Sequence, residues 1–364
     1  MSNDPLHNTK SPPQKNAQGR NNILWAILSV AIAGVSIWAV MSQAKEASLR
    51  SILGSLRHAD PLWLGAALLS MLGFIFFEAA AIRTTCKALH CRPSMGRCWV
   101  YSASDIYFSA ITPSATGGQP ACAYLMIHDG VPGAATTVAL LMNLTMYTLS
   151  ILAIGLFTFL AKPRIFLRFR TLSTVLILVG CVVQLVMALV FFLLVKNERL
   201  LQKISQAVLH LLDKLHLVRR EQALREKLDR LLEEYKVSST YIAGQRGLLI
   251  RVFLLNFMQR LSQITVTMFV YLATGGGPVS AFDIWATQSY VVLGSNYVPI
   301  PGGMAVTDYI MLDGFGSFLP AQRAVDLEII SRSLSFYICI LLCGTTILVG
   351  LWLSKRRKRE RKAI

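Results

Sequence analysis

Two stretches, 133–160 and 173–195, each run for more than twenty residues without a charged side chain. As helices rising about 1.5 Å per residue, both are long enough to cross the roughly 30 Å hydrocarbon core of a bilayer. No water is available there for backbone N–H and C=O groups, so a chain carrying such runs must satisfy them internally, as helices. Predominantly apolar runs with at most two charged residues occur at 23–41, 61–82, 248–273 and 328–353. Hydrophobic residues make up 54% of the chain and charged ones 15%, so little remains from which to build a soluble domain. The expected class is an all-α polytopic membrane protein with about six full spans.

The polar stretches divide the chain. Residues 1–22 form a polar, disordered tail rich in Asn, Pro and Gln, with no small-residue cleavage site to mark a signal peptide. A first membrane half covers 23–195, a cytoplasmic amphipathic segment 196–247, a second membrane half 248–353, and a basic tail 354–364. Within 196–247, one apolar stripe is Leu201, Ile204, Val208, Leu211 and Leu215. A second is Leu224, Leu228, Leu231 and Tyr235, so two amphipathic helices are expected. That stretch is too short for a sizeable enzyme domain. The net charge of +17 would suggest nucleic acid in a soluble protein. Here the bases flank apolar runs, where they set orientation and meet anionic lipid, so no nucleic-acid partner is expected. Arg83, Lys87, Arg92 and Arg97 mark a cytoplasmic loop, and with the basic tail they place both termini inside. Lys162, Arg164, Arg168 and Arg170 then fall outside, against the positive-inside rule. Cys86, His90, Cys91 and Cys98 could be read as metal ligands, but no CxxC spacing supports that. Apolar packing of reduced thiols is preferred, and neither metal nor cofactor is expected.

One motif occurs twice. Gly117-Gly118, five residues, Tyr124, Leu125, Met126 matches Gly302-Gly303, five residues, Tyr309, Ile310, Met311 at a single offset of 185 residues. Proline precedes both copies and Asp-Gly follows both. Around them, 99–127 and 282–318 are interrupted by proline and glycine and cannot form continuous spans. Both are expected to be broken or re-entrant helical segments, whose freed backbone must be buried in protein or face a watery cavity. With both termini inside, the copies enter from opposite faces, an inverted repeat of the kind found in transporters.

Polar residues inside spans mark the candidate site. Asn256, Gln259, Arg260, Gln263 and Thr267 share one helical face. An arginine at mid-span costs about 2.5–3.5 kcal/mol on insertion scales, so it should face the bundle or a cavity. Its structural partner would be Glu78; its functional partner would be an anionic substrate. Thr136, Asn143, Tyr147 and Ser150 make a second polar stripe. The glycine pairs open half-helices whose N–H groups can point at an anion. The substrate-binding candidates are therefore Gly117, Gly118, Gln119, Tyr124, Asn143, Tyr147, Asn256, Gln259, Arg260, Gln263, Gly302, Gly303, Asp308 and Tyr309. No nucleophile–His–acid set or nucleotide phosphate loop offers a catalytic residue.

Thr112-Pro113-Ser-Ala-Thr-Gly117-Gly118-Gln119-Pro120, with Pro299-Ile-Pro301-Gly302-Gly303 downstream, resembles the lysylphosphatidylglycerol synthase transmembrane, or flippase-like, family. The resemblance covers nearly the whole chain in layout, and these two stretches carry it. It implies a bacterial inner-membrane protein that moves an anionic or aminoacylated phospholipid, a role linked to resistance against cationic antimicrobial peptides. Family members join this module to a domain that transfers lysine from charged tRNA. The chain holds no stretch suited to that domain, so lysyl transfer by this polypeptide is not expected. The family's second motif continues with glycine and glutamate, where Ala305 and Asp308 stand here. Three readings follow: a lipid translocator, a lipid-modifying protein or its membrane subunit, and a scaffold that binds anionic lipid. The expected partners are membrane phospholipid and the bilayer itself, with a separate lipid-modifying enzyme and a homo-oligomer left open.

Overall fold

A computed structural model describes residues 59–112, 116–196, 202, 221–277, 279–298 and 305–363; for 221–229 and 355–363 the helix alone is described. The tail 1–22, the expected span 23–41, the stripe Leu201–Leu215 and the pair Gly302–Gly303 lie outside the described residues. All regular structure among the described residues is helical.

Helix α1 (Pro61–Ala88) starts where Asp60 accepts from the N–H of Leu62 at 2.8 Å and Pro61 occupies the first turn, where its missing N–H costs nothing. Ser94 caps α2 (Met95–Ile111). After a break comes α3 (Gly118–His128), then α4 (Gly133–Ala161), the short α5 (Pro163–Phe166) and α6 (Thr171–Lys196). Helix α7 (Glu221–Ala243) leads into α8 (Arg246–Ala273). A second broken pair follows, α9 (Ala281–Ser295) and α10 (Val306–Gly316). Finally α11 (Ala321–Arg332) passes through a π-helical turn, Ser333–Ile338, into α12 (Cys339–Ala363). Four stretches are long and apolar enough to cross a membrane: Pro61–Ala88, Gly133–Ala161, Thr171–Val195 and Ala321–Ser354. The last is longer than the expected 328–353 because the π turn keeps the helix going. The 28-residue α8 has the length of a span, but its apolar character is diluted by the polar face that the sequence marks.

Helices α1 and α8 form the central pair and run antiparallel. The N–H of Asp60 donates to the carbonyl of Ala273, Trp63 stacks on Phe269, and Glu78 accepts from Gln259 farther along. Each broken segment folds back as a helical hairpin. In the first, Gln119 meets Asp105 beside the break, while Arg97 and Tyr101 reach Asp129 at the open end. In the second, Gly294 lies against Ile310 and Gly314 against Thr287. Helix α6 seals the side of the bundle, with Gly180 letting its backbone approach Leu293 and Gly294. Its outer face, including Val182, Leu185, Val186 and Leu189, is exposed and apolar, as a lipid-facing surface should be.

The contacts divide the molecule into two ends. One end gathers Asp60, the close of α8 and the 162–170 loop. There Lys162 pairs with Asp283 at 2.7 Å, the N–H of Arg170 donates to Asp313 at 2.9 Å, and Arg168 stacks on Phe318. The other end gathers Arg97, Asp129 and Ser354. Helix α7 packs there along α4 and α6 rather than standing apart, with Tyr235 buried and its hydroxyl donating to the carbonyl of Leu194 at 2.8 Å.

Candidate functional site

The first break is held by local chemistry. There the Thr112 hydroxyl donates to the Phe108 carbonyl and accepts from the Gly117 N–H at 2.9 Å. One side chain thus closes α2 and opens α3. Gly118 is needed for close approach, since a Cβ there would lie 2.4 Å from the Asp105 carbonyl oxygen. At the second, Ala305 precedes α10 with φ at +43°, in the left-handed region that favours glycine.

Between the hairpins, α1, α4, α6, α8 and the π turn lies a cavity of about 590 Å³. Its polar lining includes Glu78, Asp105, Gln119, Asn143, Tyr147 and Gln259. Arg260, Gln263, Asn296 and Arg332 complete the polar wall, and Phe74, Leu144, Val183, Met187, Phe191 and Ile340 supply an apolar one. Arg260 is the central group. It is 5% exposed, its guanidinium sits 3.7 Å from the centroid of Tyr147 and 5.3 Å from that of Phe74, and it donates to Gln263. A desolvated guanidinium over two ring faces gains cation–π attraction. Tyr147 is itself aimed by a 2.6 Å bond to Asn296. Glu78 accepts from Ser102 at 3.2 Å and from Gln259 at 3.0 Å, and Asp105 shares its cavity. Glu78 and Arg260 sense each other's charge without direct pairing, since each bonds other groups first.

Buried polar atoms remain available in this wall. Arg260 Nε, Gln259 Oε1, Gln288 Oε1 and Arg332 Nη2 have no hydrogen-bond partner among the described residues. Burying such groups unpaired is costly, so they are suited to a polar ligand. No group of three or more His, Cys, Asp or Glu among the described residues is placed to hold a metal ion. Cys86, Cys98 and Cys122 instead pack into one apolar cluster with Met126 and Tyr101.

The structure gathers only part of the sequence-marked set. Gln119, Asn143, Tyr147, Gln259, Arg260 and Gln263 line the cavity, and Asn256 stands behind them, donating to Asn143 at 3.1 Å. Gly117 and Gly118 shape the break and do not line the cavity. Tyr124 is 54% exposed and stacks on His128, away from the cavity. Tyr309 packs on the core, and Asp308 pairs with Arg332 at 2.8 Å. The repeated methionines Met126 and Met311 are both buried packing residues. Of the second stripe, Thr136 is buried away from the cavity, and Ser150 bonds the Met146 carbonyl of its own helix.

Asp105, Gln288, Asn296, Tyr297 and Arg332 were not marked as site residues. Asp105 had a signal, an acid inside an otherwise apolar segment, as plain as that of Glu78. Gln288 lies midway along α9, while Asn296, Tyr297 and Arg332 sit at helix ends, where polar residues are ordinary.

An all-helical bundle with several membrane-length apolar helices around a buried polar cavity defines a helical membrane protein. Residues 26–363 match the family model described as the lysylphosphatidylglycerol synthase TM region, and the chain belongs to that family. No curated protein matches the chain.

Proposed function

We propose that the protein is a lipid translocator of a bacterial inner membrane, moving a phosphate-bearing headgroup through the cavity while the tails stay in the bilayer. The observation that carries this reading is Arg260, buried at a cavity wall with an unpaired Nε and two helical hairpins beside it. An arginine fork is suited to a phosphate.

A common offset between the two halves supports the reading. Bounds 61 and 88 of α1 become 246 and 273 of α8, the same 185-residue offset as the Gly-Gly motifs, and the two helices run antiparallel. Each is followed by a broken hairpin. Cavity residues fall into pairs at that offset: Glu78 with Gln263, Phe74 with Gln259, Tyr147 with Arg332. Two halves of opposite orientation meeting at a polar site are the architecture of alternating access.

In this reading the Arg97 end and both termini are cytoplasmic, and the 162–170 loop is external. Asp283 and Asp313 pair with Lys162 and Arg170 of that loop, whose outside placement goes against the positive-inside rule.

The test is a liposome assay with a quenchable fluorescent phosphatidylglycerol. Wild type should equilibrate the label between leaflets, Arg260→Gln should be folded but slow, and Arg260→Lys should recover part of the rate. Normal transport by a stable Arg260→Gln protein would end the assignment. The family's description also favours a second reading, a membrane component of lysylphosphatidylglycerol synthesis. Aminoacylated lipid found in cells expressing this chain alone would carry that reading instead.

A further inference from the structure

The cavity holds a charge arrangement that a phosphate site does not require. Glu78 and Asp105 are both at least nine-tenths buried and line the same cavity from α1 and α2, where Ser102, one turn before Asp105, donates to Glu78 at 3.2 Å. Two ionised carboxylates buried in one cavity repel each other and lack the solvation of water, so one of them is relieved by binding a proton. Each acid also has fixed donors: Ser102 and Gln259 for Glu78, Ser109 and Gln119 for Asp105. One proton on the pair leaves one negative charge, matched by the single charge of Arg260 in the wall of the same cavity. Gln259 Oε1 and Arg260 Nε, buried and unpartnered among the described residues, belong to the same wall.

We propose that the Glu78–Asp105 pair is a proton-binding site whose occupancy is set by the charge on Arg260, so that a phosphate seated on Arg260 brings a proton into the cavity with it. The sign follows from charge balance. A phosphate anion cancels the guanidinium charge, the remaining carboxylate becomes an uncompensated buried charge, and it takes up a second proton from water. Release of the phosphate restores the cation and expels the proton. Lipid and proton therefore bind together, and a pH gradient drives net lipid movement in the direction of proton entry; this last consequence rests on the translocator reading. Gln119 extends the effect to the break, because it donates to Asp105 from the first turn of α3 at 2.7 Å.

The other groups facing the pair do not replace Arg260. Tyr147 comes from α4, Cys122 from α3, and Tyr297 from beyond the end of α9. The second cation, Arg332, is already paired with Asp308, beside Glu328. The α12 helix presents Cys339 and Ile340.

Infrared difference spectroscopy on the purified protein tests the site without any lipid. Wild type should show the C=O stretch of a protonated carboxyl, lost in Glu78→Gln and in Asp105→Asn, where the remaining acid is left ionised opposite Arg260. In Arg260→Gln the band should about double as the second proton is taken up, while Arg260→Lys should leave it unchanged. A band indifferent to Glu78 and Asp105, or an unchanged band in folded Arg260→Gln, overturns the proposal. Should Arg260→Gln fail to fold, the two acid variants still decide whether the pair holds a proton.

Liposomes carrying fluorescent phosphatidylglycerol then separate the two claims. Lipid movement that ignores an imposed pH gradient overturns the coupling and leaves the translocator standing. An intact infrared signature in a protein that moves no lipid removes the translocator reading and keeps the proton site.

Discussion

Gly118 is the closest point in the first hairpin: a Cβ there would lie 2.1 Å from Asp105 Oδ1 and 2.4 Å from the Asp105 carbonyl oxygen. The carboxylate could swing away, but the carbonyl belongs to helix α2 and cannot. Gly118→Ala should therefore cost the upper end of the ~1–3 kcal/mol typical of overpacking, seen as a lower melting temperature of the detergent-solubilised protein. Ala305 gives the opposite case. A left-handed alanine costs about 1–2 kcal/mol, and nothing in its φ of +43° requires a side chain. Ala305→Gly should raise the melting temperature, the change recovering part of that strain less the extra chain entropy of glycine. The family's second motif has glycine there, as the backbone conformation would lead one to expect.

The latch at the open end of the first hairpin shows how an element is held. Arg97 donates to both oxygens of Asp129, at 2.5 and 2.6 Å, and the buried Tyr101 hydroxyl donates to the same carboxylate at 2.7 Å. Removing Arg97 leaves Asp129 with Tyr101. Removing Asp129 strands the buried Tyr101 hydroxyl and leaves Arg97 only Ser354, and an orphaned buried group costs about 1–3 kcal/mol. Asp129→Ala should thus lower thermal stability more than Arg97→Ala, and the double variant should lose less than the two single losses added together. Equal losses in the two single variants would show that Tyr101 contributes nothing to the latch. Helix α7 is held by the same logic, through the buried Tyr235 hydroxyl on the Leu194 carbonyl.

At the scale of the molecule, the two ends make a topology prediction. Leu167 is 80% exposed in the loop that meets Asp283 and Asp313, and Val237 is 71% exposed on α7 at the Arg97 end. In a cysteine-free background, Leu167→Cys should react with an impermeant thiol reagent added to intact cells. Val237→Cys should react only after the cells are opened. The reverse pattern would turn the whole bundle over. Labelling of both positions from outside would mean that the two do not lie across a membrane.

The helical class, the breaks in 99–127 and 282–318, and the inward face of α8 were legible because each is a local property. Apolar length makes a membrane helix, proline and glycine interrupt one, and the 3.6-residue period puts Asn256, Gln259 and Arg260 on one face. All three are fully or nearly fully buried, as that face predicts. What the chain could not disclose locally was which polar residues meet. Asp105 joins Glu78 in one cavity because α2 packs on α1, and Arg332 enters it from the end of α11, just before the π turn. Tyr124 shares its spacing with Tyr309 yet faces outward, since repetition records a common helix geometry and not a common environment. The sequence by itself determined the elements, through length, period and interruption. Only the tertiary structure decided the site, because two carboxyls and a guanidinium drawn from three helices acquire their joint chemistry from burial in one cavity, and burial is a property of packing between segments far apart in the chain.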